Sequence, residues 1–118
     1  DYTGTFNGQD YTINGLTAPL FGTTTASVIK NVRLTGVNIT SSLNPLGALA
    51  CKVDNAAAVI QNCSADGTLE FTGSTISTGT QANVAGMIGY TITTTTITGL
   101  VNSVDVTFNH NSAAYLAE

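Results

Sequence analysis

The chain has 118 residues, one domain's worth, with 42% hydrophobic and only 8% charged residues; 3 Lys and Arg stand against 7 Asp and Glu, for a net charge of −4. So acidic a chain excludes a nucleic-acid binder, which needs a basic patch, and disfavours anionic membrane surfaces. There is no apolar run of about 18 residues to cross a bilayer, and sparse charge with abundant Thr, Ser, Asn and Gly suits an extracellular or cell-surface β-rich protein.

In chain order, Tyr2 to Gly8 and Tyr11 to Leu16 read as strand, Asn-Gly turn, strand, Asn-Gly turn, which makes 1–17 an opening coil. The next unit, 18–45, carries Pro19-Leu20-Phe21-Gly22 and then Val28-Ile29-Lys30-Asn31-Val32-Arg33-Leu34, alternating onward through Val37 and Ile39. Unit 46–83 repeats the theme with Leu49-Ala50-Cys51 and Val59-Ile60-Gln61-Asn62-Cys63-Ser64-Ala65, then Leu69 and Phe71. Its Ala56-Ala57-Ala58 is too short to nucleate a helix and reads as a turn. Unit 84–111 has Gly86-Met87-Ile88-Gly89, Leu100-Val101-Asn102-Ser103-Val104, Val106 and Phe108, and 112–118 is a tail. A chain opening on Asp1 rather than Met reads as a mature or excised fragment.

Aligned on Asn31, Asn62 and Asn102, the units are 31 and 40 residues apart. A period of about 30 holds three short strands with their turns, so the expected fold is all-β: a right-handed parallel β-solenoid of three to four coils, one module over 1–118. Its inner faces are expected to carry Phe6, Ile13, Leu16, Leu20, Ile29, Val32, Leu34, Ile39, Leu49, Ile60, Ala65, Leu69, Phe71, Met87, Ile88, Val104, Val106 and Phe108. The extra residues of the last units fall in the Thr-, Ser- and Gly-rich stretches 73–83 and 90–96, which read as projecting loops.

The segments Thr3-Gly4-Thr5-Phe6-Asn7-Gly8, Tyr11 to Leu16, Pro19 to Gly22, Gly86 to Gly89 and Ile60 to Leu69 together resemble the GLUG-motif repeats of bacterial and protist surface proteins. Cys51 departs from that pattern by replacing its final Gly, and the alternation over Ser103 to Val106 is one residue out of phase. The resemblance implies a β-solenoid used in adhesins, large surface proteins and the non-catalytic parts of IgA-cleaving metallopeptidases, with no catalytic residues.

Few side chains suggest chemistry. Cys51 and Cys63, 12 residues apart, either form a disulfide across one coil or are two buried thiols. With His110 they make no zinc site, and no nucleophile surrounds that single His. Asp66, Glu70 and Asp105 are candidates for a glycosidase-like outer face, set against solvated charges that limit edge aggregation. Asn38 and Asn62 stand in N-glycosylation triplets. Asn31, Asn62 and Asn102 are expected to stack as a structural ladder. Thr23-Thr24-Thr25 and 91–98 are too irregular for an ice-binding array. No residue set implies a cofactor or metal.

The expected function is therefore a non-catalytic structural or adhesive module of an extracellular fibre or cell-surface protein. Its partners would be itself or flanking repeats, meeting end to end through open solenoid edges, and glycans. The alternatives are a carbohydrate-binding or carbohydrate-cleaving β-helix and a scaffold fragment of a large surface peptidase.

Overall fold

A computed structural model describes residues 2–73, 82–92 and 94–108. The described chain is all-β, with eight strands: β1 (Tyr2–Asn7), β2 (Thr12–Asn14), β3 (Phe21–Lys30), β4 (Arg33–Ser41), β5 (Ala50–Val53), β6 (Val59–Phe71), β7 (Ile88–Thr91) and β8 (Thr96–Phe108). Every ladder is parallel, as a copied unit laid on its predecessor requires. The strands join in the order β2-β4-β6-β3-β5-β7, with β1 on β3 and β8 on β6. Long strands serve two neighbours: β3 meets β5 through Phe21, Thr23 and Thr24, and β6 through Val28, Ile29 and Lys30.

Period-two alternation sends one set of side chains inward. Phe6 lies over Ile29, Ile29 over Ile60 and Ile60 over Ile97. Ile39, Leu69 and Val106 form a second column, and Ser41, Phe71 and Phe108 a third. Ile29, Ile60, Leu69 and Phe71 are buried, in one core that also takes Val37, Leu46, Ala48, Val53 and Ala58. The columns open at β8, where Ile97 is 39% and Phe108 45% exposed. Phe108, expected inside, thus faces solvent, because among the described residues no strand lies beyond β8.

Two backbone devices set the corners. Asn31 and Asn62 adopt left-handed conformations, with φ of 57° and 54°, and Gly99 continues the row at 64°. These types enter that region most readily. The second device is a bulge: the β4–β6 register shifts between Leu34 and Val37, and Gly67 sits opposite Val37 at φ 124°.

Val104 and Val106 pair with Gly67 and Leu69, in phase with the preceding unit. The out-of-phase appearance of Ser103 to Val106 came from aligning Asn102 on Asn62. In the sheet Asn62 falls opposite Gly99, between the pairs Gln61–Thr98 and Cys63–Leu100, while Asn102 pairs with Ala65.

Candidate functional site

The longest polar constellation is the Asn corner. Asn31 Nδ2 donates to Asn7 Oδ1 at 2.9 Å, and Asn62 Nδ2 donates to Asn31 Oδ1 at 2.7 Å. Asn7 Oδ1 also accepts the Gln9 amide at 3.0 Å. The row is therefore Asn7, Asn31 and Asn62. Asn102, expected in it, stands apart, and its Oδ1 accepts the Val104 amide at 3.1 Å. Sequence reasoning missed Asn7 and Gly99. The signal was the tripeptide Ile-x-Asn or Ile-x-Gly at Ile29, Ile60 and Ile97, since both final residues accept a left-handed backbone.

Because Asn31 both donates and accepts along the row, it is the informative position. Asn31→Ala is expected to lower unfolding free energy by about 2 kcal/mol, through two lost side-chain hydrogen bonds and because Ala tolerates the left-handed region less well than Asn. Asn31→Gly relieves the backbone part and should recover about 1 kcal/mol of it. Urea titration by circular dichroism reads both; equal losses for the two variants contradict this account.

The acidic candidates do not converge. Asp66 Oδ1 accepts the Gly36 amide at 2.8 Å and so serves the β4 bulge. Asp105 pairs with Thr68, and Glu70 with Thr40 and Thr107, placing the two carboxylates on different rows of neighbouring strands. Among the described residues no group of three or more His, Cys, Asp or Glu is placed to hold a metal ion. His110 and the 112–118 tail lie outside the described residues.

Cys51 and Cys63 are free, buried thiols. Cys63 Sγ donates to the Gln61 carbonyl at 3.3 Å. Burial pushes both thiols above their ordinary range, against the smaller opposing effect of backbone hydrogen bonds at Gly47 and Val32. A raised folded-state value means that the native chain holds these protons more tightly than the unfolded chain. Stability is then fully present below about pH 8.5 and falls as the unfolded thiols ionise above it. Denaturation midpoints at pH 7.5 and 9.5 should show this fall, and a Cys51→Ala/Cys63→Ala double variant should reduce it. An unchanged pH slope in that variant removes the thiols as its cause.

Of the two glycosylation triplets, Asn38 is exposed on β4 with Thr68 beside it, whereas the Asn62 amide is engaged in the corner row. A shallow depression of about 240 Å³ is lined by Pro45, Lys52, Asn83 and Tyr90. There the Lys52 ammonium lies 3.1 Å from Asp54 Oδ2 and 5.9 Å from the centre of the Tyr90 ring. A surface cation so paired gives little net stability. What remains is polar architecture: corner amides, a bulge-binding carboxylate and inert thiols.

The family described as M26 IgA1-specific metallo-endopeptidase N-terminal region matches residues 1–67. That match corrects the resemblance to GLUG-motif repeats. The segments Thr3 to Leu16 and Pro19 to Gly22 that carried the resemblance lie within the matched stretch. Inward aliphatics between Asn and Gly turns suit any parallel sheet of this kind, so short motifs of that form do not separate one such family from another. No curated protein and no solved structure matches the chain.

Proposed function

The chain belongs to the M26 IgA1-specific metallo-endopeptidase N-terminal region family, and from that membership we propose that it is a non-catalytic scaffold in a large extracellular or cell-surface peptidase. The family match carries the reading. The polar side chains support it: Asn7, Asn31, Asn62 and Asp66 bind one another or the chain's own backbone, and among the described residues no three or more His, Cys, Asp or Glu are placed to hold a metal ion. We read the eight parallel strands as coils of a β-solenoid. Successive pairings of one kind of position, Phe6 to Ile29 to Ile60 to Ile97, support that reading. A stiff stack of this kind would hold a catalytic domain at a set distance from the cell surface.

The test is direct. Purified chain incubated with IgA1 and a divalent-metal mixture should leave the heavy chain intact on denaturing gels over a day. Cleavage that is abolished by a chelator and follows the chain through a second purification step would overturn the scaffold assignment.

A further inference from the structure

The two ends of the sheet are unlike. At the β1 end Tyr2, Phe6 and Phe21 pack on one another, with ring centres 4.9 Å apart for Tyr2 and Phe21 and 5.3 Å, edge to face, for Phe6 and Phe21. At the other end β8 presents 13 continuous strand residues, with β6 as its only partner strand among the described residues. Ile97 and Phe108 close columns that are buried one strand earlier at Ile60 and Phe71, and Val101 is exposed beside them. A strand of that length, with a free edge and uncovered apolar column ends, is a template for another strand.

We propose that β8 from Thr96 to Phe108 receives one more parallel strand, supplied by a further repeat unit of the parent polypeptide. The proposal rests on the scaffold reading above. The ladders of β6 and β8 specify the incoming strand. It carries an aliphatic residue over Ile97, a left-handed Asn or Gly beside Gly99, an aliphatic residue over Val106 and a large apolar residue over Phe108. β6 has this same pattern with respect to β3 and β4: Ile60 over Ile29, Asn62 beside Asn31, Leu69 over Ile39 and Phe71 over Ser41. A second copy of the chain is a poorer occupant. Its first-end strands are only 6 and 3 residues long and are interrupted between Asn7 and Thr12, and aromatic rings cover its apolar end. Each copy also carries a charge of −4, which opposes stacking.

The experiment titrates the whole chain into a fluorescein-labelled peptide with the Val59–Phe71 sequence and Cys63→Ser, reading anisotropy. Amide hydrogen exchange is followed in parallel by NMR. Binding is expected together with slowed exchange at alternate residues of 96–108. A scrambled peptide should bind at least about tenfold more weakly, as should the Ile97→Asp chain, the order expected for losing one buried aliphatic contact. Phe108→Ser, at an exposed site, provides a second variant should Ile97→Asp fail to fold. The proposal fails if the scrambled peptide binds equally, if protection appears on β1 and β2 instead, or if no binding is seen up to about 1 mM peptide. Sedimentation showing that the chain alone stacks through β8 would also overturn it, by naming a different occupant. Any of these failures leaves the scaffold reading intact, because that reading falls only on IgA1 cleavage by the chain.

Discussion

Gly67→Ala is expected to remove about 4 kcal/mol of stability, a large share of the roughly 5–15 kcal/mol that a domain has. Gly67 sits at φ 124°, in a region that side chains avoid, and a Cβ there would run into the Val37 amide nitrogen and carbonyl oxygen. Those atoms belong to the β4–β6 ladder and cannot swing aside as a side-chain tip would. The bulge would have to unmake itself, and with it the pairings from Val37 to Ser41 that follow the register shift. Thermal melts and urea titrations measure the loss. Gly99→Ala is the matched control, since its Cβ would stay 3.4 Å from the nearest atom and only the left-handed φ of 64° is penalised. If Gly67→Ala loses no more than Gly99→Ala, steric conflict at the bulge is not what requires the glycine.

Phe71→Ala should remove about 3–5 kcal/mol, the range for deleting a fully buried aromatic ring. Phe71 is the largest of the fully buried side chains. Its ring meets Phe108 edge to face, with centres 5.5 Å apart. Truncation would therefore leave a void on one side and a further exposed ring on the other. Phe108→Ala, which starts from a half-exposed ring, should lose about 1 kcal/mol. Urea titration of both variants decides it: a loss below about 1.5 kcal/mol for Phe71→Ala would mean that the site collapses on truncation.

The all-β class and the parallel pairing were legible because Ile29, Val32, Leu34, Ile39, Ile60, Ala65, Leu69 and Phe71 alternate with polar residues over long stretches, and all of them are buried. Burial at the chain's far end was not legible. Ile97 and Phe108 have the same local pattern as Ile60 and Phe71, and what separates them is that among the described residues β6 has strands on both sides and β8 on one. Nor was burial legible at the 23–27 segment. Its hydroxyl side chains gave no sign of burial, yet Thr24 and Ser27 are fully buried. Ala26, at φ 45°, turns the backbone between them, so the simple alternation does not carry through. The corner row was half legible. Asn marks a left-handed position at Asn31 and Asn62, but Gly does the same work at Gly99, and alignment by residue type alone slid the last unit onto Asn102.

The corner residues also bear on how such a chain can grow. Asn7 and Asn31 are 24 positions apart, Asn31 and Asn62 are 31 apart, yet each pair meets through one amide hydrogen bond. Each parallel neighbour adds about 4.8 Å of height however many residues the excursion between corners contains. The chain thus behaves as a ruler graduated in corners rather than in residues. Insertions between the corner residues would lengthen the gene without adding a neighbour to the sheet, and surface decoration could diversify while the strand pairing stayed constant.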